Sequence, residues 1–309
     1  MLENFDVGAL EGSWKRLTDR VVGQDWPAST LYVVATPIGN LADLTLRALH
    51  ALALCDVVAA EDTRASRQLL DAWGVQTPLL AAHRHNEAQA AQSIIERLGQ
   101  GQRVALVSDA GAPGVSDPGA RVVRAVREAG YRVVPIPGAS AVIAALMASG
   151  ATSDENPAFV FAGFTPSRPV ARRKWLQAWC TTPAPVVMFE SPHRLRAALA
   201  DLLAVCGPDR QLTIARELTK RFEQVHTLSL SQAQAWVDSD SHHEQGEFVL
   251  IVHAPPVSDA TLLDPATDTL LDALLESVSV RDAAKIAAKV SGMPRDVLYK
   301  LALERQQKG

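Results

Sequence analysis

The longest run of ligand-capable residues is Ser108-Asp109-Ala110-Gly111-Ala112-Pro113-Gly114-Val115-Ser116-Asp117-Pro118-Gly119, which directly follows the apolar stretch 103–107. Its two Ser-Asp pairs offer hydroxyls and carboxylates. Its glycines let the backbone approach a ligand and leave N–H groups free to bond it. Twelve residues is well above the usual length of a strand-to-helix connection, so simple turn formation does not explain this loop. The composition suits a polar, adenosine-sized ligand. Three shorter loops have similar chemistry: Thr36 to Asn40, Glu61 to Arg64, and Pro137 to Ser140. Each of those alone reads more simply as turn chemistry. The sequence holds no G-x-G-x-x-G after a strand, no phosphate-binding G-x-x-x-x-G-K-[ST], no H-E-x-x-H and no EF-hand loop. The cluster His83-Arg84-His85-Asn86 is read as structural or surface-exposed, and no metal is expected.

The elements that must carry these loops alternate. Apolar strand-length runs at 31–35, 56–60, 103–107 and 131–135 are interleaved with helical patterns at 44–54 (capped by Asp43), 63–73, 87–98, 118–129 and 139–149. Continuous apolar strands separated by helices predict a parallel sheet covered on both faces, with ligands at the carboxyl ends of its strands. Periodicity breaks at 151–158, where a domain boundary is placed. Beyond it, strands are expected at 159–162, 185–189, 211–215 and 246–253, and helices at 168–179, 195–206 and 231–237. Pro255 to Asp259 reads as a linker. A purely helical unit follows, opened by Asp264-Pro265, by the capping box Ser279-Val280-Arg281-Asp282, and by Pro294. The expected organisation is an extension at 1–29 with a short helix near 14–21, α/β domains at 30–152 and 153–256, and a helical tail at 262–306.

A chain of 309 residues with net charge −4 cannot live wholly on nucleic acid through its overall charge, so any such contact must be a local patch. Cys55, Cys180 and Cys206 are far apart with no C-x-x-C pairing, which fits a reducing cytoplasm and neither zinc nor disulfides. No secretion signal or membrane span is expected.

The stretches Ala35 to Leu41, Glu61 to Arg64, His85 to Glu87, Ser108 to Gly119, Pro135 to Gly138 with Ser140-Ala141, Gly163-Phe164, Phe189 to Leu195, Arg216 to Lys220 and Gly246 to Leu250 resemble, in order, those of the small-subunit ribosomal RNA methyltransferase I family, within the tetrapyrrole methylase superfamily. The resemblance covers roughly residues 30 to 306. It implies a tetrapyrrole-methylase-like fold of two α/β domains with a cofactor cleft between them and a helix-turn-helix-like C-terminal unit. It also implies S-adenosylmethionine as cofactor, 2′-O-methylation of a cytidine ribose in 16S rRNA at the decoding centre of the small ribosomal subunit, and a homodimer. Carried over residue by residue, the cofactor set is Pro37, Ser108, Asp109, Ala110, Gly111, Val115, Ser116, Asp117, Pro118, Ser140, Ala141, Phe189 and Glu190. The chain departs from the family pattern at Ala112, Ala139, Thr227 and Gln245, where the family usually has Thr, Pro, Gly and Lys.

A ribose hydroxyl is a poor nucleophile and gains from a base or a cation beside the developing alkoxide. Lys220 and Glu217 are the leading candidates, with Arg216 in the same segment, followed by Glu61, Asp62 and Arg64. For RNA contact, Arg281, Lys285 and Lys289 fall on one face of a tail helix, with Ala283, Ile286, Ala287 and Val290 opposite and buried. A second basic cluster is Arg168, Arg172, Arg173 and Lys174, beside Trp175, which serves equally as a base-stacking ring or as core. Two other readings are a C-methyltransferase of the same fold acting on a small macrocycle, for which a basic tail has no use, and a non-catalytic RNA-binding protein.

Overall fold

The computed structural model describes residues 7–154, 156–256, 263 and 265–306. The expected linker at 255–259 lies partly outside them, as does Asp264. The chain forms two compact units, Met1–Ala254 and Pro255–Gly309.

In the larger unit α1 (Val7–Val22) is longer than the short helix expected. The segment after it is anchored by Trp26, whose indole N–H donates to the carbonyl of Val21 at 2.8 Å and whose ring lies 4.9 Å from that of His50. A first sheet follows: β1 (Thr30–Val34), α2 (Leu46–Leu54), β2 (Val57–Ala60), α3 (Thr63–Ala72), β3 (Leu79–Ala81), α4 (Glu87–Gly99), β4 (Arg103–Val107), α5 (Ala120–Glu128), β5 (Arg132–Ile136) and α6 (Ala141–Ser149). Its strands are all parallel in the order β3-β2-β4-β1-β5. One core lies on each face, with Leu52, Leu70 and Ile136 in one and Ile94, Leu98 and Val126 in the other. The fully buried β2 explains why the strand reads as an unbroken apolar run. Asp43 does not cap α2 as expected. A single 3₁₀ turn, Leu41–Asp43, intervenes, and Thr45 accepts the Ala48 N–H at 3.1 Å instead.

The second sheet comprises β6 (Val160–Phe164), α7 (Pro169–Trp179), β7 (Val186–Glu190), α8 (Leu195–Cys206), β8 (Gln211–Arg216), β9 (Gln224–Ser229), α9 (Ala233–Asp238) and β10 (Phe248–Val252). Its order is β6-β7-β10-β8-β9, and only the β6–β7 pair is parallel. Neither β3 nor β9 is among the strands expected from the sequence. Both are edge strands, and the polar sequence of β9 (QVHTLS) lacks the apolar run of a central strand.

The smaller unit contains α10 (Pro265–Leu275), α11 (Val280–Ser291) and α12 (Arg295–Gln306) around Leu271, Ala283, Ala287, Leu298 and Leu301. The Ser279 hydroxyl accepts the Asp282 N–H at 3.2 Å, as the capping pattern requires. Arg281, Lys285 and Lys289 are exposed. The expected buried face is only half correct: Ala283 and Ala287 are buried, whereas Ile286 and Val290 are 40% and 68% exposed. Ala284 is buried with Ala283 and Ala287, so the inward face of α11 is made of alanines. Among the described residues no helix is long and apolar enough to cross a membrane.

Candidate functional site

The order β3-β2-β4-β1-β5 sends the chain leaving β1 to one side of the sheet and the chain leaving β4 to the other. The two loops therefore part at the β4/β1 edge, where parallel sheets open a crevice. They are tied across it by paired backbone hydrogen bonds between Thr36 and Gly111, at 2.9 and 3.0 Å. The loop from Ser108 to Gly119 turns through positive φ at Gly111, Gly114 and Gly119, and also at Ser116 (φ 63°), where a side chain has to adopt the left-handed region. Such strain at a non-glycine residue is held by its surroundings and marks a constrained surface.

Above this loop is a cavity of about 360 Å³. Of the residues expected at a cofactor site, Asp109, Ala110, Gly111, Val115, Ser116, Asp117, Ser140, Ala141, Phe189 and Glu190 line it. Three do not: Ser108 is buried below the loop, Pro37 lies outside the lining, and Pro118 faces a separate cavity. The antiparallel β7–β10 register places the start of β10 beside the end of β7, with Phe248 opposite Glu190 and Val249 opposite Phe189. That pairing brings Glu247, Phe248 and Val249 to the wall. Leu218, Phe164, Ile38 and Ala112 complete the apolar surface, and Ser191 and Pro192 join from the turn after β7. All of these additional residues sit inside the motifs quoted above, but only the fold shows that they converge.

Glu190 is buried, and its carboxylate is fully engaged: the Thr165 hydroxyl donates to one oxygen, while the Ser191 N–H (2.8 Å) and Arg194 (2.9 Å) bind the other. It shapes the wall rather than presenting a free charge. At the rim, the Lys220 ammonium lies 2.9 Å from Glu217 and 3.0 Å from Glu247. Burial alone would lower the Lys220 pKa, but these two hydrogen bonds overcome it and the pKa is raised. The corresponding contacts from Lys220 and the Glu247 N–H outweigh burial at Glu217, whose pKa is lowered. Both groups are therefore ionised at neutral pH. Gly39 and Gly246 make this possible: a Cβ on the first would lie 2.5 Å from Lys220 Cγ, and on the second 2.5 Å from Glu217 Cγ.

Other expected site residues are placed elsewhere. Arg216 does not share a cleft-facing side with Lys220; it is buried and donates to the carbonyls of Gln245 (2.7 Å) and Phe222 (3.2 Å). Arg172 is not available to RNA either, because it is buried and paired with Asp201 at 2.7 Å. Arg168, Arg173 and Lys174 are exposed, while Trp175 packs against the core of the second sheet. Asp62 caps α3 by accepting the Arg64 N–H at 2.7 Å, and its own N–H donates to Asp109 at 2.8 Å. Arg64 is exposed. Glu61 has a raised pKa, from burial first and then from Asp109 and Asp117.

The model for Tetrapyrrole (Corrin/Porphyrin) Methylases matches residues 30–234, and that for the RsmI C-terminal HTH domain matches residues 261–306. Proteins named ribosomal RNA small subunit methyltransferase I are similar over nearly the whole chain. The one from Neisseria meningitidis serogroup B is 44% identical over 95% of this chain and 98% of its own length. The one from Pseudomonas aeruginosa is 45% identical over 91% and 99%. The chain belongs to the ribosomal RNA small subunit methyltransferase I family of tetrapyrrole methylases. Solved structures agree on the fold of this family member's larger unit. Cobalt precorrin-4 methyltransferase matches with TM-score 0.54 and 15% identity over 72% of this chain and 95% of that one. The methyltransferase CobJ matches with TM-score 0.54 and 20% identity over 74% and 96%.

Proposed function

We propose that the protein is a cytoplasmic S-adenosylmethionine-dependent methyltransferase that 2′-O-methylates a cytidine ribose of 16S rRNA at the decoding centre, acting as a homodimer on the small ribosomal subunit. The observation carrying this reading is the cavity at the β4/β1 crevice in a chain of this family. Its apolar walls (Ile38, Val115, Phe164, Phe189 and Leu218) suit a purine, and the carboxylates of Asp109 and Asp117 suit a cationic ligand. Ser140 makes no side-chain cap on α6, so the helix's first N–H groups remain available to a carboxylate at the cavity. When bound, S-adenosylmethionine supplies an electrophilic methyl group on a sulfonium.

The protein's task is then chiefly alignment. The loop from Ser108 to Gly119 fixes the floor, and Glu190 stiffens the opposite wall through Thr165, Ser191 and Arg194. Lys220 is held as a cation and not as a base, so it acts by stabilising negative charge on the acceptor oxygen, with Glu217 positioning it. The exposed Arg281, Lys285 and Lys289 supply phosphate contacts from the tail, which favours RNA over a macrocycle as acceptor. The exposed Ile143 and Met147 on the uncharged helix α6 fit coverage by a second copy.

The test combines calorimetric S-adenosylmethionine binding with mapping of ribose methylation in 16S rRNA from cells lacking the gene. Loss of the modification, restored by the purified protein and cofactor acting on isolated small subunits, is expected. Cofactor binding with the ribose methylation unchanged would refute the substrate. No cofactor binding at tens of micromolar would refute the enzyme.

A further inference from the structure

Beside the large cavity is a second one of about 260 Å³, lined by Arg84, Glu87, Asp117, Pro118, Ala120 and Arg121. Asp117 lines both, so the two cavities adjoin at this residue. The smaller one is built by two separate stretches: the turn after β3 with the start of α4, and the end of the long loop after β4 running into the first turn of α5. Glu87 organises it, accepting the Gly119 N–H at 3.0 Å with one oxygen and holding Arg121 loosely, at 3.7 Å, with the other. The Arg121 side chain is 80% exposed. Arg84 is exposed and makes no hydrogen bond or ion pair among the described residues, although its charge acts on the carboxylates of Glu61 and Asp117.

The lining carries two guanidinium groups and two carboxylates. Such a balanced set is a poor sink for a bare anion, because the carboxylates repel it. It suits a ligand offering a phosphodiester to the arginines and hydroxyl donors to the carboxylates, as a ribonucleotide within an RNA strand does. We propose that this cavity is the acceptor-nucleotide site, with Arg84 and Arg121 binding the phosphodiester that flanks the target ribose. Entry through it delivers the nucleotide to Asp117 and hence to the large cavity. This assignment rests on the proposed RNA methyltransferase reading. Burial raises the Asp117 pKa, and Asp109 adds to this against the opposing Ser108 hydrogen bond and Arg84, which agrees with a wall shielded from water.

The experiment uses the full chain with Arg84→Gln, Arg121→Gln, the double variant, and Arg84→Lys/Arg121→Lys. Affinity for small ribosomal subunits is read by filter binding between 50 and 200 mM salt, beside calorimetric S-adenosylmethionine affinity. Each glutamine substitution should weaken RNA binding and lower the slope of log affinity against log salt by about 0.7–0.9. The double lysine variant should keep the slope, and cofactor affinity should stay within about twofold throughout. Unchanged RNA affinity and slope in the double glutamine variant, with wild-type methyl transfer intact, would overturn the assignment alone. Absence of RNA binding or transfer by the wild-type protein would overturn it together with the reading on which it rests.

Discussion

Arg172→Met separates folding from RNA contact at the basic stretch 168–174. The Arg172 side chain is 3% exposed and that of Asp201 is 12% exposed; the pair joins α7 to α8 through contacts from Nε and Nη2 at 2.7 Å. Methionine preserves most of the aliphatic bulk but leaves the carboxylate without its main partner. Removing one member of a buried ion pair costs about 3–5 kcal/mol. Arg173 remains 3.9 Å from Asp201, which places the cost near the lower end, about 3 kcal/mol. For a folding unit of this size, each kcal/mol corresponds to roughly 2–4 °C, so Tm should fall by roughly 6–12 °C in a calorimetric scan. Adding Asp201→Asn should recover part of the loss, because the stranded charge is then gone. RNA affinity measured well below the transition should remain at the wild-type value. A Tm within 2 °C of wild type with clearly weakened RNA binding would refute the structural role and return Arg172 to the interface.

Gly246→Ala places a Cβ 2.5 Å from Glu217 Cγ at φ 96°, so it should displace the Glu217 carboxylate, cost about 1–3 kcal/mol in urea unfolding, and reduce single-turnover transfer. Lys220→Ala should bind S-adenosylmethionine normally while slowing single-turnover transfer by about 10²–10³-fold, and an unaltered rate would remove Lys220 from the mechanism. Because the Glu217 pKa is lowered by folding, its contribution to stability is present above the unfolded value, about 4.3, and is lost as pH falls through the folded value. Glu217→Gln should accordingly flatten the acid limb of a stability–pH profile, and an identical limb would remove Glu217 as its source. Replacing Arg281, Lys285 and Lys289 with glutamine should weaken binding to all RNA sequences alike and lower the salt slope by about 2–3, as measured by filter binding.

Much of the first sheet is legible because each of its central strands is buried on both faces and so appears as an unbroken apolar run. The ligand loop is legible for a different reason: its length and glycine content exceed what a turn needs. What escapes the sequence is decided by tertiary partners. Arg172 and Lys174 look alike in the chain, yet Asp201, 29 residues away, draws one inward and leaves the other exposed. Arg216 reads as a reactive neighbour of Lys220, but two backbone carbonyls claim its guanidinium. The departure from the family at Gln245 is explained in the same way, because that residue serves Arg216 through its main-chain oxygen, which any side chain would leave in place.

The glycines at 39 and 246 lie against Lys220 and Glu217. Neither carries chemistry, and each could be read as a turn residue. Their missing side chains provide the space in which the Lys220 stem and the Glu217 carboxyl meet the loops after β1 and before β10, so that one ammonium can bind two acids. A cation held at the cavity rim by two carboxylates cannot lend much charge to a resting hydroxyl. It can respond to an alkoxide, whose full charge competes with carboxylates for the same ammonium protons. The trio is thus built to stabilise a charge that develops during transfer more than one present beforehand, which is the differential stabilisation that lowers a barrier. On this argument Glu247→Gln, which removes one competing charge and frees the ammonium for a resting hydroxyl, should tighten binding of the neutral acceptor, read as a lower KM, without accelerating transfer. An increase in the transfer rate would mean that Glu247 restrains Lys220 where the argument requires it to prepare it.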